Sequence, residues 1–316
     1  MPTGRPTPTT QAPPLPSKVG MALPPARQGH LAMLSFSALV SLSFSFGHIV
    51  AKDIAPAALN TVRFALAALV LFGLARVLRI PLRPVFTGFW RFGLMGGLMA
   101  VYFITMFEAL RITTAVSTAA VFTLTPLMAA GCGLLIAGQR SGRWTLIALT
   151  IGAIGAVWVI FRADINALLR FELGRGEALF AVGALGHALV PALARKLASD
   201  VKPLQTSIGT VLGSLIVTGI YGAGDLMNTD FSSLRPAVWM VIGYLAVVTT
   251  AGTFFLVQYA SQRLPASKVM AYTYLVPSWV VLWDFLFYGT TPPALLMAGV
   301  AATLLALAML LKGEAF

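Results

Sequence analysis

Few residues in this chain of 316 amino acids can bind a solute or hold a proton, and most of those lie inside apolar stretches. Ser37, Ser41, Ser45 and His48 recur at spacings of 4, 4 and 3, which sets them on one face of a helix. A stripe of hydroxyls ending in an imidazole suits a wet cavity wall, although each serine can instead bond a carbonyl of its own helix and merely ease packing. Thr114, Thr118 and Thr125 repeat the pattern beside Pro126. There a hydroxyl can replace the backbone bond that proline removes. His187 stands four residues before Pro191 in another apolar stretch. Its imidazole can take up a proton near neutral pH, bind a solute, or sit neutral between helices. Tyr102, Thr105 and Met106, then Phe255, Gln258 and Tyr259, mix the polar anchors and adaptable apolar walls that would hold a zwitterion with an apolar side chain. The candidate ligand-binding residues are Ser41, Ser45, His48, Tyr102, Met106, Thr118, His187, Phe255, Tyr259 and Tyr272. Phe103, Phe254 and Phe285 read as core or lipid-facing residues.

Catalytic signatures are missing: there is no HExxH, no P-loop, no cysteine and histidine cluster at metal spacing, and no pair of carboxylates deep in an apolar stretch. An enzyme is not expected, nor a metal or cofactor. The single cysteine, Cys132, rules out a disulfide framework.

The elements that must position these residues are membrane helices. Hydrophobic residues make up 58% of the chain and charged ones 10%, with a mean hydropathy of +0.86, far from the composition of soluble domains. With about 20 apolar residues per crossing, spans fall near 30–50, 57–79, 88–110, 114–137, 143–161, 176–198, 203–222, 236–262, 266–288 and 292–312. Residues 1–28 hold eight of the 19 prolines and read as a disordered tail. The net charge of +12 is a topology signal rather than a nucleic-acid footprint, because the basic residues sit in short loops between spans. With the amino end cytoplasmic, fifteen Lys and Arg fall on that side and six on the other, so both termini are expected in the cytoplasm. Arg63 and Glu108 then share the outer leaflet and are expected to pair as a structural contact or gate latch, while Asp284 near the end of the ninth span either snorkels or couples to protons.

The chain also repeats. Ala109–Pro126 recurs without gaps 151 residues later as Ala260–Pro277, and an offset of 147 aligns Gly29, Ala51, Asp53 and Pro56 with Gly176, Ala198, Asp200 and Pro203. Pro126 and Pro277 fall near the middle of their spans, where a freed carbonyl is tolerated against other helices or a water-filled cavity. Five spans per half is an odd number, so the halves, 29–162 and 175–313, are expected to run in opposite directions through the bilayer.

The motifs Pro56 to Asn60-Thr61-Val62-Arg63-Phe64-Ala65, Ala109-Leu110 to Leu124-Thr125-Pro126, and Ala260 through Ala266 to Leu275-Val276-Pro277 resemble the drug/metabolite transporter superfamily, within it the EamA-type ten-helix permeases. The resemblance covers about residues 30 to 312. It implies an all-α integral membrane fold of ten transmembrane helices in two inverted five-helix repeats, in a permease of monomeric size. It also implies a cavity ringed by spans 1, 3, 4, 6, 8 and 9 that carries amino acids, often aromatic ones, out through the cytoplasmic (inner) membrane. Pro126, Pro191, Pro277, Arg63, Glu108 and Asp284 become structural or gating candidates, and the partners are a small solute and the lipid bilayer. A nucleotide-sugar or phosphorylated-metabolite exchanger would need buried cationic anchors, of which Arg63 alone lies within a span. An integral-membrane enzyme or assembly protein is the other class.

Overall fold

The structure is a computed structural model that describes residues 24–138, 142–161, 163–170, 173–264, 266–289 and 293–312, without the side chains of 137, 266 and 267. The expected tail up to residue 23, and Arg140 and Arg162 of the charge count, lie outside these residues. Among them there are ten helices long and apolar enough to cross a membrane: α1 Pro25–Val50, α2 Pro56–Val77, α3 Phe89–Ile112, α4 Ala115–Ile136, α5 Arg143–Ile160, α6 Arg175–Leu197, α7 Pro203–Tyr221, α8 Pro236–Ser261, α9 Lys268–Tyr288 and α10 Ala294–Lys312. Most ends agree with the expected spans within a few residues. The first helix starts five residues earlier than hydropathy suggests, because Pro25 occupies its first turn, where its missing N–H costs nothing. Pro56, Pro203 and Pro236 open α2, α7 and α8 in the same way.

Three spans are not continuous α-helix. α4 is α-helical over Ala115–Phe122 and again over Thr125–Ala137. α9 tightens to a 3-10 turn at Tyr272–Leu275 before Val276–Tyr288. Both breaks answer the prolines, and they do so differently. Pro126 cannot donate to the Phe122 carbonyl, and the Thr125 hydroxyl bonds it instead at 2.6 Å. Val276 stands where α4 has Thr125, so the Thr273 carbonyl is taken by the Val276 N–H through the tighter turn. Each broken helix ends on a left-handed glycine, Gly138 at φ 63° and Gly289 at φ 64°, again 151 residues apart. The third irregularity is a π-helical segment, Val247–Gly252, in α8.

Several helix contacts recur when the halves are exchanged. α3 lies on α6 as α1 lies on α8; α3 on α7 as α8 on α2; α4 on α6 as α9 on α1; α2 packs on α7 and α5 on α10. α3 and α7 cross closely, where a Cβ added to Gly96 would lie 2.5 Å from the Gly213 carbonyl carbon. The Ser214 hydroxyl donates to the Gly96 carbonyl there, at 3.0 Å. α5 and α10 meet at Gly155 and Gly299, whose backbones approach as closely.

Candidate functional site

Where the halves meet, α1, α3, α6, α7, α8 and α9 surround a narrow chamber of about 40 Å³, room for a few waters rather than a whole metabolite. α7 takes the place expected for α4, whose Phe122 stands behind the wall with its ring 5.1 Å from that of His187. The wall is mostly apolar, with Phe36, Val40, Met99 and Met270 among its side chains.

Its polar groups are few, and three of them are unsatisfied. His187 Nδ1, the Tyr102 hydroxyl and the Thr210 hydroxyl line or border the chamber, are buried, and have no hydrogen-bond partner among the described residues. The His187 and Tyr102 rings lie 4.7 Å apart. Pro191, one turn further along α6, lacks the N–H that would bond the His187 carbonyl in a regular helix. Buried polar atoms are normally paired, and this concentration suits a polar solute.

One end of the chamber is closed by a cluster of tilted and edge-on rings. Phe44 contacts Phe122 at 5.7 Å and Phe180 at 6.2 Å, and Tyr102 contacts both Phe122 and Phe180. Towards the α6–α7 loop, Pro191 and Gln258 are shared with a wider vestibule of about 270 Å³ lined by Arg195, Thr206, Ser261 and Gln262.

Arg63 is fully buried behind this wall. Its Nε donates to the Thr250 hydroxyl at 2.6 Å, its Nη2 to the Thr249 hydroxyl at 3.2 Å, and its guanidinium lies 3.9 Å from the centre of the Phe103 ring. The expected pair with Glu108 does not form. Glu108 turns to Arg111, one turn along α3 at 3.2 Å, with both side chains partly exposed. Arg63 points instead at hydroxyls that the π-helical segment of α8 presents, a direction that regular helical spacing does not reveal.

The serine stripe faces α9 rather than the chamber. Ser37 accepts from the Trp279 indole at 3.2 Å and Ser41 from the Trp283 indole at 2.8 Å, while each hydroxyl donates to its own helix. Ser45 donates to the Asp284 carboxylate at 3.2 Å, and His48 Nδ1 lies 2.9 Å from the Leu110 carbonyl. Thr118 donates to the Thr114 carbonyl, and Met106 is packed in the core. Tyr272 contacts His30 Nδ1 at 3.0 Å and Tyr259 donates to Gln28 at 2.5 Å, so both tie the start of α1 to the α8–α9 turn. Phe255 packs on Tyr259. Of the ten ligand candidates, the structure brings Tyr102 and His187 together on the chamber and leaves the other eight elsewhere. Phe103 and Phe254, expected in the core or facing lipid, line it. The π-helical segment rotates everything after residue 252 relative to a regular helix, which places Phe254 and Gln258 inward and Phe255 and Tyr259 away. Thr210 carried no signal beyond being one hydroxyl among many in α7.

Two curated relatives share this architecture in sequence. The chain is similar to the uncharacterized transporter YyaM of Bacillus subtilis (strain 168), 23% identical over 265 residues covering 81% of this chain and 85% of that one. It is also similar to the uncharacterized transporter YcxC of the same organism, 25% identical over 51% of this chain and 55% of that one. A crystal structure of a protein that is 17% identical superposes with a TM-score of 0.69 over 92% of this chain and 99% of that one, a likeness of fold alone. The EamA-like transporter family matches twice, at residues 27–161 and 174–312. Each of these two matches covers five of the ten spans, and the chain is accordingly a multi-pass membrane protein of the EamA-like transporter family, in the drug/metabolite transporter superfamily.

Proposed function

We propose that this chain is a secondary transporter of the cytoplasmic membrane that exports amino acids or related small metabolites by alternating access, its two halves running in opposite directions. The observation that carries the reading is the chamber between the halves. Three polar side chains without partners, Tyr102, His187 and Thr210, are set there among aromatic, aliphatic and methionine walls. A zwitterion with an apolar side chain needs this mixture, since polar groups orient it and deformable walls accept its variable part. By the distribution of basic residues, the vestibule beside Arg195 opens to the cytoplasm and the Phe44, Phe122 and Phe180 plug closes the far side. Cytoplasmic substrate would enter beside Pro191 and Gln258, and rocking of one half against the other would part the plug.

Counterflow tests this directly: purified protein in liposomes loaded with unlabelled amino acids is given trace radiolabelled ones. Accumulation driven by neutral or aromatic amino acids supports the reading. Exchange of nucleotides or sugar phosphates with none of amino acids overturns it.

A further inference from the structure

The charge of Arg63 is not offset by any acid that the structure describes. Its hydrogen bonds go to neutral acceptors, the Thr250 hydroxyl and the hydroxyl and carbonyl of Thr249. Its third nitrogen, Nη1, is buried and bonds nothing. The described carboxylates lie elsewhere: Asp53 is engaged with Arg235, Glu108 with Arg111, Asp200 with Arg91, Glu177 with the Thr113 and Ser117 hydroxyls, Asp284 with Ser45, Asp164 with the backbone of Asn166 and Ala167, and Asp230 with Ser232, while Asp225 is exposed. A buried cation with no counter-charge is costly inside a bilayer. An anion arriving with the transported solute would remove that cost.

The position fits a solute contact. Thr249 and Phe103, which touch Arg63, are themselves chamber walls, so the guanidinium lies one side-chain layer from the space. Tyr102, next to Phe103 in α3, contributes a second donor without a partner. A guanidinium offers a planar fork of donors that matches a carboxylate, and no lysine or second arginine is described against the chamber. One cation and neutral hydroxyls suit a single negative charge better than a phosphate ester.

We infer that Arg63 is the anchor for a carboxylate on the transported solute, with the Tyr102 hydroxyl as its second donor and Phe103 and Thr249 as the layer that must shift to admit it. The inference rests on the transport reading above and deepens it: the carboxylate is the required feature, whether or not an amino group accompanies it. Thr249 and Thr250 belong to the π-helical segment, whose extra residue lets both neighbouring hydroxyls face the guanidinium.

The test uses the full chain in detergent and in liposomes, with four probes that share one ring: L-phenylalanine, 3-phenylpropionate, L-phenylalaninamide and 2-phenylethylamine, and inorganic phosphate as a fifth. Binding is read by tryptophan fluorescence and transport by inhibition of counterflow. The two acids are expected to bind and the amide and amine not to. Arg63→Gln should lose at least about ten-fold in affinity for the acids, about 1.4 kcal/mol, with Arg63→Lys intermediate. If Arg63→Gln does not fold, Tyr102→Phe serves, weakening the acids more than the amine. Equal binding of acid and amide, undiminished acid binding by a folded Arg63→Gln, or binding of phosphate alone overturns the inference. Arg63-dependent binding of 3-phenylpropionate without counterflow of any amino acid would remove the amino-acid reading and leave this one standing. Amino-acid counterflow that accepts the amide equally would do the reverse.

Discussion

The Thr125 hydroxyl lies 3.3 Å from that of Thr273, so the breaks of the two proline-interrupted spans touch each other across the boundary between the halves. The contact joins α4 to α9 where both depart from regular α-helix, and a hinge needs such a place.

Thr125→Val should be destabilising because it removes the hydroxyl that bonds the Phe122 carbonyl in place of the missing Pro126 N–H. The cost of an unsatisfied buried carbonyl is about 1–3 kcal/mol. Thr273→Val should cost less, since the Thr273 carbonyl is already bonded by the Val276 N–H. Thermal melts of the two purified variants in one detergent check the order, and equal losses would contradict the assignment.

Gly96→Ala should disrupt the α3–α7 crossing, because the added carbon meets backbone at 2.5 Å and backbone cannot swing aside. Overpacking of this kind costs about 1–3 kcal/mol. Gly73→Ala, where nothing lies within 4 Å, should leave the melting temperature unchanged or slightly raised.

Asp200, in the loop after α6, accepts two hydrogen bonds from Arg91, whose guanidinium holds its carboxyl below the usual carboxylate range. A depressed value in the folded state means stability that is present above the unfolded value, about 3.9, and lost as pH falls through the folded one. The Asp200 side chain is 61% exposed, so the contribution is small, about 0.5 kcal/mol after solvent screening. Melts of wild type and Asp200→Asn should differ slightly at pH 6 and converge below about pH 4. Arg91→Gln should cost more at both pH values, because Arg91 also bonds the Leu197 carbonyl at the end of α6.

The vestibule and the aromatic plug predict opposite reactivities. In a Cys132→Ala background, single cysteines at Ser261 and Gln262 should react readily with a water-soluble maleimide, and cysteines at Phe44 and Phe180 should be protected, both rings being fully buried. Fast labelling at Phe44 or Phe180 in the resting protein would place the closed end elsewhere.

Much of the architecture was legible without coordinates. Ten spans follow from the length of apolar runs, since a bilayer requires about 20 such residues and leaves no other way to satisfy the backbone. Pro126 and Pro277 each interrupt a span, as proline chemistry requires, and Gly138 and Gly289 end those spans at the same 151-residue offset. Tyr102 and His187 were identifiable because polar groups deep in apolar helices are costly, and a costly residue marks a site.

Which face of each helix meets which neighbour was not legible. Ser37 and Ser41 look the same in sequence whether they wet a cavity or hold Trp279 and Trp283, and only the parallel docking of α1 on α9 decides for the indoles. Arg63 and Glu108 are equally plausible partners by depth, yet α3 turns Glu108 outward to Arg111 and the π-helical segment of α8 brings Thr249 and Thr250 to Arg63. Phe254 and Phe255 differ by one residue, and the extra residue in that segment sends the first to the chamber and the second away. Span number and the two proline breaks are local consequences of hydropathy and proline chemistry, so the sequence by itself determined them. The site depends on rotations of whole helices about their axes, set by close packing between segments far apart in the chain, and only the tertiary structure decided it.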